Sequence, residues 1–191
     1  EQIMDILKKE CKMHPKTLQK INKQLEQNHN NTNCGIVNNG NITYNIIQLG
    51  EENLLDVLSK KEQIMILNKK HQSLNHYIEM VHFNDKFPQF KNIAITNMKD
   101  DLAHIYDKGK NKFIAIKKDE LLNTVIEMRM LDIEDFYSNN EDDLDPITKV
   151  NVKKFINKMS KDDKYFEFKK SDIKLLLYNN SDSDVIKKLE Y

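Results

Sequence analysis

The sequence predicts an α+β fold, and three observations carry that reading: apolar residues recur at helical period over most of the chain, three short β-rich runs sit together near its middle, and short polar connectors separate them. Helices before and after a small antiparallel three-stranded meander make an α+β domain. The expected organisation is a helical stalk or the end of a coiled coil over residues 1–30, an Asn-rich connector and strand over 31–49, and a mostly helical α+β globular domain over 50–191.

Taken in order, Ile3, Ile6 and Leu7, then Leu18, Ile21 and Leu25 after the Pro15 interruption, form narrow apolar stripes among Lys, Gln and Glu. They fit two short helices, either packed on the domain behind them or ending a parallel coiled coil whose heptads lie upstream. Because the chain opens with Glu inside a helical pattern, it reads as a piece of a longer protein. Residues 28–41 combine low complexity with Asn-Gly turn chemistry, and Ile42 to Leu49 reads as a strand. Glu51 to Leu58 reads as a short helix, Ser59-Lys60-Lys61-Glu62 as a capping box opening another, and Ser73 as the cap of a third ending near Phe83.

The β-rich runs are Asn92 to Asn97, Leu102 to Asp107 and Phe113 to Lys117, joined by connectors short enough for hairpins. Helix returns from Asp119 to Tyr137, where Leu122, Val125, Ile126, Met130, Ile133 and Phe136 hold one face. Asp145-Pro146 suits the N-cap and first turn of a helix to Met159, and Ser171 suits the cap of a last one over Asp172 to Tyr178.

Composition limits the functions available. Thirty basic residues balance thirty acidic ones, so no global field steers a charged partner. Asn, Ile and Lys supply 73 of the 191 residues, the signature of an A/T-rich coding genome, and Arg129 is the single arginine. Bidentate readout of guanine by several arginines is therefore excluded, whereas phosphate contacts by lysine are not. The longest apolar stretches fall far short of the ~20 residues of a membrane span. Two cysteines, Cys11 and Cys34, without a secretory signal fit a reducing compartment.

Charge is uneven along the chain even though it cancels overall. Lys118 to Asp145 holds ten acidic residues against two basic, and Lys149 to Lys170 eight basic against three acidic, so the two halves are expected to attract. The richest basic series is Lys149, Lys153, Lys154, Lys158 and Lys161, opposite Ile147, Val150, Phe155, Ile156 and Met159 on one predicted helix. A face of this kind can track phosphates, and it can equally be a solvated helix surface.

Reaction chemistry finds little support. Cys11-x2-His14 and His29-x4-Cys34 outline a zinc site, but His14 abuts Pro15 and Cys34 lies in the Asn-rich connector, so no metal is assigned. His76 and His82 are six apart on one predicted helix and point to different faces. His82 reads as a structural residue whose positive form the helix dipole favours. Ala115-Ile116-Lys117 lacks the carboxylate that a restriction-type nuclease strand needs. The glycines at 35, 40, 50 and 109 cannot form a phosphate loop, and no Gly-x-Ser-x-Gly elbow occurs. No catalytic residue and no cofactor are expected, and Arg129, amid Glu127, Asp132 and Glu134, reads as a local ion pair.

Four runs carry a resemblance. His14-Pro15-Lys16-Thr17-Leu18-Gln19-Lys20-Ile21-Asn22-Lys23-Gln24-Leu25, Val81-His82-Phe83-Asn84, Asn92-Ile93-Ala94-Ile95-Thr96-Asn97-Met98 and Asp172-Ile173-Lys174-Leu175-Leu176-Leu177-Tyr178-Asn179 resemble a family of uncharacterised proteins of mimivirus-like giant viruses. The family typically carries an upstream zinc finger of the two-Cys, two-His kind and a coiled coil. This chain does not contain that finger. The resemblance implies a viral, nucleic-acid-associated protein of the host cytoplasm, at the virus factory, or of the virion, and supplies no catalytic residues.

The resulting expectation is a non-enzymatic, oligomerising C-terminal module of a viral DNA- or RNA-associated protein. It would be a homodimer through Ile3, Ile6, Leu7, Leu18, Ile21 and Leu25, with no membrane contact. The alternative is a protein-binding scaffold of the virus factory or virion with no nucleic-acid role.

Overall fold

The computed structural model describes residues 36–38, 41–43 and 45–181. The expected stalk helices, their apolar stripes and the Cys11 to Cys34 pattern lie outside the described residues. The chain divides into two units after Asn45. In the first, β1 (Ile36–Asn38) and β2 (Asn41–Thr43) pair antiparallel, with Val37 opposite Ile42. The sequence between them is Asn39-Gly40, the dipeptide preferred in two-residue hairpins.

The strand expected over Ile42 to Leu49 stops at Thr43, and residues 45–48 have no regular secondary structure. Their hydrogen bonds go elsewhere: the Ile47 N–H donates to Gln89 O at 2.8 Å, and Gly50 turns the chain at a φ of +92°.

The second unit begins at Ile46. The expected helix Glu51 to Leu58 is only one turn, α1 (Leu54–Val57), because Glu52 is drawn inward. The capping box forms as expected at the start of α2 (Lys60–Leu67): Ser59 Oγ accepts from Glu62 N–H, and the Glu62 carboxylate accepts from Ser59 N–H. Ser73 is not a cap but the first residue of α3 (Ser73–His82), its hydroxyl 3.5 Å from Leu67 O. A 3₁₀ turn at Lys70–Gln72, entered with Lys70 at a φ of +55°, delivers the chain into α3 already wound.

The meander is antiparallel in the order β3 (Ile93–Ala94), β4 (Leu102–Asp107), β5 (Lys112–Lys117). β3 is shorter than the expected Asn92 to Asn97 because Ile95 N–H donates to Ser181 Oγ, at the far end of the chain, instead of to a strand. The β4–β5 turn places Asn111 at a φ of +53°, where its side chain accepts from Tyr106 OH at 2.6 Å.

Helix α4 (Lys118–Asn140) leads from the sheet into the helical layer and packs on β4, β5 and every other α-helix among the described residues. Its buried positions, from Leu121 and Leu122 through Val125, Ile126, Met130 and Ile133 to Phe136, are the expected stripe with Arg129 set into it. Helix α5 (Pro146–Lys161) starts at the Asp145 cap, which accepts from Ile147 and Thr148 N–H. The last helix, α6 (Asp163–Asn180), begins nine residues before the expected Asp172. Asp162 caps it by accepting from Tyr165 N–H, while Ser171 lies mid-helix and donates back to Glu167 O. The acidic and basic halves meet at an ion pair between Lys170 and Asp119.

Removing the capping hydroxyl with Ser59→Ala is expected to cost about 1 kcal/mol. Lys70→Gly is expected to add about 1 kcal/mol by relieving the left-handed backbone. Urea denaturation of the two variants therefore shifts the midpoint in opposite directions.

Candidate functional site

The densest polar chemistry of the described residues is inside the core, around Arg129. The Arg129 side chain is 2% exposed and the facing Glu52 side chain fully buried. Arg129 Nη2 donates to Glu52 Oε2 at 3.2 Å, and Nη1 donates to Asp132 Oδ2 at 2.9 Å. Tyr77 OH donates to the same Asp132 oxygen at 2.8 Å, and its ring lies 5.7 Å from the guanidinium carbon.

Glu52 reaches this position because Gly50 bends the chain, and the Gly50 N–H itself donates to Glu52 Oε2 at 2.6 Å. A Cβ on Gly50 would stand 3.1 Å from Met128 Cε, on a backbone that disfavours any side chain. Asn92 closes the other side, its amide donating to Glu52 Oε1 at 2.6 Å and to Ile47 O at 2.9 Å.

His82, at the end of α3 and wholly buried, joins through the same amide. Its Nδ1 lies 3.0 Å from Phe90 O and 2.9 Å from Asn92 Oδ1. Phe90 O can only accept, and the Asn92 Nδ2 is already donating, so Nδ1 carries the hydrogen. Nε2 is buried and has no protein partner among the described residues. Protonating it would bury a second N–H without an acceptor, near the positive Arg129. Burial first, and Arg129 second, hold the His82 pKa down at about 4. The expectation that the helix dipole favours the positive form is therefore overturned.

Burial raises the Tyr77 pKa and that of Asp132, the latter partly offset by Arg129. Arg129 is held above its ordinary value: burial opposes its charge, but Tyr77, Glu52 and Asp132 outweigh it. The expected local ion pair at Arg129 is half of the arrangement. Asp132 is the local partner, and Glu52, 77 residues away, is the one no local pattern marks.

The lysines expected to contact nucleic acid all lie on α5. Lys153, Lys154, Lys158 and Lys161 are exposed, Lys149 is half-buried, and none makes an ion pair among the described residues. Lys158 Nζ stands 5.0 Å from the Tyr165 ring centroid. The apolar face is rotated from the expected one. Thr148, Val152, Phe155 and Met159 face the core, while Ile147 and Val150, 66% and 52% exposed, stand among the lysines. The dimer residues Ile3, Ile6, Leu7, Leu18, Ile21 and Leu25 lie outside the described residues. Among those that are described, no group of three His, Cys, Asp or Glu side chains is placed to hold a metal ion, and no helix is long and apolar enough to cross a membrane.

Comparison with protein-family models, with curated proteins and with solved structures finds no match to this chain.

Arg129→Met leaves the Glu52 charge buried without its counter-ion, and a loss of about 3–5 kcal/mol is expected in urea unfolding. His82 sets a pH dependence as well. Its folded pKa lies below the ordinary 6.5, so the unfolded chain binds the extra proton as pH falls through the interval from 6.5 to about 4. Stability held above pH 6.5 is lost across that window, by up to ~3 kcal/mol. The urea midpoint of His82→Leu, measured from pH 4 to 7, should lose this slope.

Proposed function

We propose that the protein is a non-enzymatic module of a viral nucleic-acid-associated assembly, in which α5 is the surface that meets phosphate. The observation that carries this reading is the line of exposed lysines at 153, 154, 158 and 161, without ion-pair partners among the described residues. Residues one turn apart on a helix are separated by ~5.4 Å along its axis, so the series presents a row of cations to a phosphate backbone. The viral context rests on the resemblance to mimivirus-like proteins and carries with it a place at the virus factory in the host cytoplasm, or in the virion.

A binding role rather than a catalytic one is supported by how the titratable groups are used. Glu52, Tyr77, Arg129 and Asp132 bond to one another in the interior, and His82 is held neutral among them. The scaffold alternative draws support from Ile147 and Val150, exposed among the lysines and better suited to a protein surface than to phosphate.

With acids balancing lysines overall, binding to duplex DNA is expected to be weak and strongly salt-dependent. Lys153→Glu combined with Lys154→Glu should reduce the slope of log affinity against log salt by about 1.8, at roughly 0.9 per lost phosphate contact. Fluorescence anisotropy across a salt series measures it, and tight binding indifferent to salt or to that double change refutes the phosphate-tracking role.

Oligomerisation is proposed through the stripe of Ile3, Ile6, Leu7, Leu18, Ile21 and Leu25 of two chains, since exposing one such side chain forgoes about 1.5–3 kcal/mol. Light scattering on the intact chain should report a dimer that Ile21→Asp with Leu25→Asp converts to a monomer. A monomeric wild type removes this part of the proposal.

A further inference from the structure

A groove of about 340 Å³ runs between α4, α5 and the start of α6, and Lys153, one turn before Ile156, borders it on the α5 side. Its floor is apolar: Met130 and Met159 are buried, Ile156 is half-buried, and Leu131 stands 63% exposed at the edge. On the α4 bank, Glu127 and Glu134 flank Leu131, both exposed and without an ion-pair partner among the described residues. The α5 residues that line it, Ile156, Met159 and Ser160, carry no charge.

The two carboxylates are seven residues apart, two helical turns, or ~10.5 Å along the axis. That is the spacing at which flanking charges of one helix meet those of a partner helix across an apolar seam. The remaining exposed ionisable residues of α4, Asp119, Glu120 and Asp135, are also acidic, so nothing on this helix's outer face neutralises the pair.

We propose that this groove docks an amphipathic helix of a partner protein, one that lays an apolar stripe over Met130, Leu131 and Ile156 and carries two basic residues seven apart on the flank facing α4. The charge of the bank selects the partner. A helix with acidic residues at those positions would meet Glu127 and Glu134 with like charge, and one without an apolar stripe would leave the floor wet. Lys153 beside the α5 lining fixes the orientation, because a basic flank is favoured against α4 and disfavoured against α5.

The test uses the full chain and two labelled synthetic peptides with leucines at i, i+3 and i+7, one bearing arginines and the other glutamates at two flank positions seven apart. Anisotropy should show the wild type preferring the arginine peptide. Glu127→Lys with Glu134→Lys should weaken that peptide roughly tenfold and reverse the preference. Leu131→Asp should abolish binding of both. All substituted residues are exposed, and circular dichroism confirms that each variant is folded.

Equal affinity for the two peptides, indifference to the double charge reversal, or no binding by the wild type overturns the proposal. So does sedimentation showing a self-associated wild type that Leu131→Asp makes monomeric, since the occupant would then be a second copy.

Discussion

A guanidinium set into the buried stripe of a central helix has to be neutralised where it stands, and the helical domain is arranged around doing so at Arg129. Glu52 and Asp132 supply the charge, Tyr77 adds a hydroxyl and a ring, and Asn92 saturates the far oxygen of Glu52. Each participant constrains its own segment. Gly50 must turn left-handed to bring Glu52 in, residues 45–48 must forgo a strand, and α1 shrinks to one turn. A one-turn slip of α4 would carry the cation into aliphatic surroundings, where an uncompensated charge costs several kcal/mol. The pair thus fixes the register of the helix that all other α-helices among the described residues contact.

Much of this architecture is legible in the sequence wherever a local pattern is strong. The Ser59 to Glu62 capping box, the Asp145-Pro146 helix start, β4 over Leu102 to Asp107 and the α4 stripe follow from spacing and cap chemistry alone. Two departures share a cause, a distant partner claiming a group that local rules had assigned: Ile95 N–H went to Ser181, and Glu52 left its helix for Arg129. Ser73 lost the cap role to a local 3₁₀ turn instead. Ser171 shows the opposite case, where a good capping residue was overridden because Asp162 began the helix nine residues earlier.

The interior site was legible only by half. The sequence marks a local ion pair at Arg129, but Glu52 and Asn92 lie in segments read as a helix and a strand, whose local patterns say nothing of a distant arginine. The lysine series was visible as a helix face, yet its apolar counterpart was rotated. Small changes in helix roll move Ile147 and Val150 from core to surface, and only tertiary packing of Thr148 and Val152 decides which roll is taken.

The spacing of two interior contacts has a consequence for how the domain closes. Arg129, midway along α4, and Glu52 are 77 residues apart, and so are Asn140 and Gln63, a 2.9 Å amide pair at the C-terminal end of the helix. Bringing together points that far apart along a flexible chain costs about 4 kcal/mol of configurational entropy beyond a constant. Because both contacts join α4 to the segment of chain just before or within α2, the first to form restricts the loop that the second would otherwise have to close. The second contact then closes a loop of only about 22 residues and costs about 1 kcal/mol less. The middle and the C-terminal end of α4 are therefore fastened in coupled steps, the first contact favouring the second.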